Sequence, residues 1–138
     1  MAATHLADAS VLVRLHHDDV VARVGPLLVA GMVATTGLVD LHLLALARTG
    51  GDHAALRAER ALLPRAPCSD AVLERALEVQ GRLAEAGQHR GVGPDRLVVA
   101  AAAEAAGLTV LHYDDAFVRI AAVTGQPVEW AVEPGSVP

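Results

Sequence analysis

Short apolar runs spaced at helix-sized intervals constrain this chain more than any other feature. Thr4–Ala7, Met32–Thr36, Leu108–Tyr113 and Pro127–Ala131 read as strands, and the stretches between them carry helical periodicity. Strands that alternate with helices cannot pair as hairpins, so the pattern predicts an α/β domain with a mainly parallel central sheet. At 138 residues there is room for one core, hence a single domain over residues 1–138. Hydrophobic residues make up 53% of the chain against 20% charged, which excludes a disordered segment. The longest charge-free stretch, Val24–Val39, is interrupted by Gly25, Pro26, Gly31 and Gly37 and is too broken to span a membrane. No basic segment followed by an apolar run reads as a signal peptide. The single cysteine, Cys68, excludes an internal disulfide and a cysteine-based zinc site, and a reducing cytoplasm is the expected setting. Cys68 itself is expected to be buried and inert.

Charge narrows the partners. A formal net charge of −5 repels phosphate backbones, and the three aromatic residues Phe117, Trp130 and Tyr113 are too few for a base-stacking platform. Any nucleic-acid contact therefore needs a local arginine cluster working against the overall field. Every basic side chain is arginine and asparagine is absent, which reflects a GC-rich coding bias more than function.

The helices follow from caps and stops. One is expected from about Ser10 to His17, and Asp18 and Asp19 cap a second toward Ala30. A third covers Leu38–Arg48 and ends at Gly50-Gly51, after which Asp52 caps a helix to Leu63 and Pro64–Cys68 is extended. Ser69 opens an amphipathic helix with Val72, Leu73, Ala76, Leu77, Leu83 and Ala84 on one side and a Glu78–Arg82 pair on the other. A polar loop over Gln88–Gly93 leads to Pro94, a favourable first helical position, and that helix stops at Gly107. The last helix spans Asp115–Val123.

In an open parallel sheet, ligands bind beyond the carboxyl ends of the strands. Two acids stand there, Asp8 after the first strand and Asp114, with Asp115 beside it, after the third. Converging carboxylates suit hard divalent cations such as Mg²⁺ or Mn²⁺; taken alone, each acid reads as the cap of the helix that follows it before it reads as a ligand.

Leu6-Ala7-Asp8-Ala9-Ser10-Val11-Leu12-Val13-Arg14-Leu15 resembles the opening motif of PIN domains, in particular the VapC toxins of toxin–antitoxin pairs. Gly107-Leu108-Thr109-Val110-Leu111-His112-Tyr113-Asp114, with Phe117 and Arg119-Ile120-Ala121, is similar to the closing motif of that family. His89-Arg90-Gly91-Val92-Gly93-Pro94 and Val98-Val99-Ala100-Ala101 match its central stretch in order and spacing. The resemblance implies a three-layer α/β/α fold, a homodimer, an antitoxin covering the cleft, and RNA cleavage through two metal ions.

The chain departs from the family where that chemistry needs carboxylates. Asp8 and Asp114 match two of the acids, but a glutamate position holds His42, a third acid position holds Arg96, and a further aspartate position holds Ala116. Asp40 lies about 200° around a helix from His42 and points the wrong way. Asp95, about 100° from Arg96 at a helix start, is the more plausible displaced ligand, and Asp115 replaces Ala116 only by a similar shift. A guanidinium roughly 5 Å from a dication is repelled by about 6–7 kcal/mol at an effective dielectric near 20, so Arg96 is expected to neutralise Asp8 and Asp114 instead, the alternative being that it points to solvent and leaves the cleft half-empty. His42 is a general base or a ligand for Zn²⁺ or Mn²⁺ on one reading, and a packed, hydrogen-bonded side chain by default. His112 and Tyr113 are expected to be structural.

Three functions remain open. One is a metal-dependent endoribonuclease toxin using Asp8, Asp114 and Asp95. Another is a nuclease-dead scaffold that binds an antitoxin-like protein or RNA. The last is a metal-independent enzyme using His42 and Arg96 in the same cleft. The replacements at His42, Arg96 and Ala116 weigh toward weakened or lost cleavage.

Overall fold

The computed structural model describes residues 2–138. The elements run β1 (His5–Ala7), α1 (Ala9–Leu12), α2 (Asp18–Val29), β2 (Val33–Ala34), α3 (Gly37–Leu44), α4 (Gly50–Arg60), α5 (Asp70–Glu85), a 3₁₀ turn (His89–Gly91), α6 (Pro94–Ala106), β3 (Thr109–His112), α7 (Ala116–Thr124) and β4 (Val128–Trp130). The strands form one parallel sheet in the order β2-β1-β3-β4. The α/β reading and its parallel sheet therefore hold.

Alternation along the strands separates two cores. Leu6 and Val110 join the larger cluster with Val39 of α3, Val72, Ala76, Val79 and Leu83 of α5, the alanine face of α6, and Phe117 and Ile120 of α7. Leu111, one residue on from Val110, faces the opposite side with Val11, Val20, Val24 and Ala131. Adjacent strand residues point to opposite faces, so the sheet is covered by helices on both and the layers are α/β/α. Ala100 to Ala103 are all nearly fully buried, the small side chains letting α6 sit close to its neighbours. No helix among the described residues is long and apolar enough to cross a membrane.

Several local expectations are corrected. Helix α1 is a single turn ending at Leu12, and α2 starts at Asp18 with His17 at its N-cap, so Asp18 and Asp19 sit in the first turn beside the helix dipole instead of capping it. Gly50-Gly51 opens a helix and does not stop one: the Thr49 hydroxyl accepts a hydrogen bond from the Asp52 amide at 3.0 Å, and this cap outweighs the glycines' poor propensity. On α5, Leu73 and Leu77 are exposed while Val79 is buried, so the apolar stripe is rotated from the expected one. Arg82 donates to the Val123 carbonyl at 2.9 Å, and Glu78 pairs with Arg75. Cys68 is exposed, not buried. The Ser69 cap, Pro94 at the start of α6 and Gly107 at its end (φ 70°, left-handed) are as the sequence predicts.

Candidate active site

Parallel register brings the two acids together. Ala7 lies opposite Leu111, and the Asp8 amide extends the ladder by donating to the Leu111 carbonyl at 2.9 Å. Asp8, 5% exposed, then caps α1, its Oδ2 accepting from the Ser10 amide at 3.0 Å. The Ser10 hydroxyl accepts from the Tyr113 amide at 3.0 Å, tying the start of α1 to the end of β3. Asp114 lies one residue before the N-cap of α7, Asp115, and its Oδ1 accepts from the Ala116 amide at 3.0 Å. Each acid thus binds a backbone amide at the start of the helix that follows it, with one of its two oxygens.

Arg96 takes the other oxygen of Asp114. Its Nε donates to Asp114 Oδ2 at 2.8 Å and its Nη1 to Asp95 Oδ2. The expected pairing is corrected in one respect: the second carboxylate bonded to Arg96 is Asp95, and Asp8 acts on it only through space. Adjacent residues 95 and 96 both reach the cleft because they lie in the first turn of α6, immediately after Pro94. Burial favours the neutral guanidine, but the Asp114 hydrogen bond and the charges of Asp95, Asp114 and Asp8 outweigh it and raise the Arg96 pKa. Burial likewise pushes the Asp114 carboxyl up, yet the Ala116 amide and Arg96 hold it below the usual carboxylate range. Arg96 therefore stays charged and Asp114 ionised.

A cavity of about 240 Å³ opens here, with Asp8, His42, Asp95, Arg96 and Asp114 all on its wall. A neighbouring hollow of about 230 Å³ shares Asp8, His42 and Asp95 and extends along α3 to Leu41. The His42 side chain is exposed and makes no hydrogen bond among the described residues, so it is not the packed side chain expected by default. Ala116 is buried and leaves no carboxylate. Asp115 does not replace it: its carboxylate pairs with Arg119 at 3.0 Å on the surface. Asp40 is turned away, bonded to Thr35, Arg60 and Arg65.

One wall residue was not singled out from the sequence. Arg14 donates to the Ser10 carbonyl at 2.6 Å and to the Pro138 carbonyl at 3.1 Å, and its guanidinium lies 4.8 Å from the Tyr113 ring centroid. Its signal was spacing, since Arg14 follows Ser10 by four residues. His112 is fully buried between Phe117 and Trp130, and burial lowers its pKa, so it is neutral and structural as expected.

The donor set does not fit the divalent ions that the family resemblance implies. Two of the three cleft carboxylates, Asp95 and Asp114, already accept bonds from Arg96, whose charge opposes a dication. Among the described residues, no three His, Cys, Asp or Glu side chains are grouped so as to hold a metal ion.

No family model matches the chain. Individual proteins do. It is 42% identical over 137 residues to Ribonuclease VapC21 of Mycobacterium tuberculosis, covering 99% of both chains, and 40% identical over 137 residues to Ribonuclease VapC51 of the same organism, again covering 99% of both. Among solved structures, DNA-bound VapBC from Salmonella typhimurium superposes with a TM-score of 0.76 at 15% identity, covering 94% of this chain and 99% of that one. VapBC-5 from Mycobacterium tuberculosis gives a TM-score of 0.60 at 26% identity, covering 93% of this chain and 95% of that one.

Proposed function

The chain belongs to the VapC ribonuclease family of PIN-domain proteins, and from that membership we propose that it is a toxin-type RNA-binding protein whose cleft cleaves RNA weakly or not at all. The observation that carries this reading is the 2.8 Å bond from Arg96 to Asp114, with Asp95 on the same guanidinium. Divalent ions, were Asp8, Asp95 and Asp114 free to hold them, would supply an activated water and charge to stabilise the leaving oxygen. Here Arg96 supplies positive charge at that place as a fixed organic cation already engaged by Asp95 and Asp114, and it cannot generate hydroxide. The His42 side chain on the cleft rim makes no hydrogen bond among the described residues, so a metal-free reaction through His42 and Arg96 lacks a positioned base. The relatives named as ribonucleases supply the substrate class, RNA. Solved VapBC neighbours supply the partner class, an antitoxin. Both would be met in the cytoplasm.

The test is cleavage of a mixed RNA pool with Mg²⁺ or Mn²⁺, comparing wild type with the double variant His42→Glu/Arg96→Asp. We expect wild type to leave the RNA intact over a time in which the double variant degrades it. Efficient metal-dependent cleavage by wild type would instead restore the intact-nuclease reading with Asp95 as third ligand.

We also propose a homodimer. Exposed Leu73 and Leu77 of α5, with Pro94, Leu97 and Val98 of α6, border an apolar groove of about 260 Å³ that the monomer leaves in water. Light scattering should give twice the protomer mass at micromolar concentration, and Leu77→Glu should halve it. A monomer throughout that range contradicts the assignment.

A further inference from the structure

A second charged cavity lies on the other flank of α3. Its volume is about 440 Å³, and Asp40, Leu41, His53, Arg57, Arg60 and Arg65 lie on its wall. Helical spacing explains the composition: residues 53, 57 and 60 follow at intervals of four and three, so α4 presents them in one stripe toward α3. Arg65 arrives from the extended segment after α4, where it pairs with the backbone of Thr35.

The guanidiniums are held but not used up. Arg60, 9% exposed, spends Nε on Asp40 Oδ1 at 2.9 Å and Nη2 on the Thr35 hydroxyl at 2.7 Å. Arg65 spends Nη2 on Asp40 Oδ2 at 2.7 Å. The Arg57 side chain makes no ion pair or hydrogen bond among the described residues, and neither does Arg60 Nη1. One carboxylate with both oxygens engaged thus faces three arginines, and the surplus positive charge has unfilled donors. Planar guanidinium forks suit the tetrahedral oxygens of phosphate. This local surplus stands out in a chain of net charge −5.

We propose that this cavity is a phosphate-binding pocket that grips the backbone of single-stranded RNA beside the cleft. The inference rests on the reading that RNA is the ligand. Position favours RNA over an acidic protein segment: Leu41 borders both this cavity and the hollow holding Asp8, His42 and Asp95, so a strand leaving the cleft over α3 reaches the arginines next. Charge favours it too. The cleft wall carries Asp8, Asp95 and Asp114 against Arg14 and Arg96, so it does not itself attract a polyanion. The arginine pocket is the local cluster that nucleic-acid binding by this acidic chain requires.

Arg57 is the residue to change, because nothing in the fold leans on its charge. A short fluorescein-labelled single-stranded RNA, followed by anisotropy across a salt titration, reads the effect. Arg57→Ala should weaken binding roughly tenfold and flatten the log–log salt dependence by about 0.7, and Arg57→Glu should weaken it further. Melting temperatures of both variants should match wild type. If wild type binds the RNA and neither variant differs from it, the pocket is not used and the proposal fails while the RNA reading stands. If wild type binds no RNA but inorganic phosphate protects it against heating in an Arg57-dependent way, the pocket stands and the RNA reading fails. Should decaglutamate bind as tightly as the RNA with the same dependence on Arg57, the pocket reads carboxylates and the phosphate assignment is overturned.

Discussion

Replacing Arg60 with alanine should lower the stability of this protein by about 3–5 kcal/mol, the usual consequence of removing one member of a buried ion pair. Arg60 and Asp40 are each nearly buried, joined at 2.9 Å, and both bond the fully buried Thr35 hydroxyl. Without Arg60, Asp40 keeps only Arg65, whose side chain is 45% exposed, and the Thr35 hydroxyl loses a donor. For a chain of this length the loss corresponds to a fall of roughly 10 °C or more in Tm. The pH dependence gives a second reading. Burial pushes the Asp40 carboxyl up, but hydrogen bonds from Arg65, Arg60 and Thr35 hold it below its ordinary value. A depressed carboxylate contributes stability above its unfolded pKa, near 4, and that contribution is lost as pH falls through the lower folded value. The gap between wild type and Arg60→Ala should therefore be widest at neutral pH and narrow below pH 4. An apolar replacement of all three groups, Thr35→Val/Asp40→Leu/Arg60→Met, should recover much of the loss, because no buried charge is then left unpaired. A gap that stays constant from pH 7 to pH 3 would mean that lost packing, and not Asp40, accounts for the effect.

This cluster also marks where reading the sequence ran out. Arg60 meets Asp40 and Thr35 across separations of 20 and 25 residues, and such contacts leave no periodic trace. Local signals did better. Ser69 and Pro94 locate the starts of α5 and α6, and Gly107 locates the end of α6, because a cap, a fixed φ and a left-handed stop act within one turn. The misses arise where two local signals compete. At residues 49–51 the Thr49 hydroxyl wins over two glycines and starts a helix where a stop is expected. Along α5 apolar residues occupy more than one face, so periodicity alone does not say that Val79 is inside and Leu77 outside. Placement of the site was more legible than its wiring. Strand ends predict that Asp8 and Asp114 meet, and the family pattern sends position 96 toward them. That Arg96 would reach its own neighbour Asp95, in preference to Asp8, depends on the first-turn geometry of α6, which spacing does not encode.

The Arg96→Asp variant should behave oppositely with and without metal. Removing the guanidinium deletes the bonds to Asp114 and Asp95, and the new carboxylate adds a like charge to theirs and to that of Asp8. Without metal the loss should be about 1–3 kcal/mol, the scale of charged hydrogen bonds lost in a half-buried site. Its sign with pH follows from the same crowding. In wild type, Arg96 helps to hold the Asp114 carboxyl below the usual range, so that group's contribution fades as pH falls below 4. In the variant, mutual repulsion raises a folded-state carboxyl pKa above its unfolded value, and stability is then lost as pH rises through the raised value. The variant's deficit should thus be larger at pH 7 than at pH 4, and 4 is where wild type begins to lose its own contribution. Millimolar Mn²⁺ should reverse the deficit, since an ion bound only by the folded state at a hundred times its Kd returns about 2.7 kcal/mol. Wild type should gain little, because its guanidinium stands against two of the carboxylates an ion would use. Adding His42→Glu should enlarge the metal-dependent gain, as that position lines the same cavity. Tm measured with and without Mn²⁺ for the three proteins decides the matter. Equal gains in wild type and double variant would show that Arg96 swings aside for metal, and the cleft would then be an intact two-metal site closed by a movable cation.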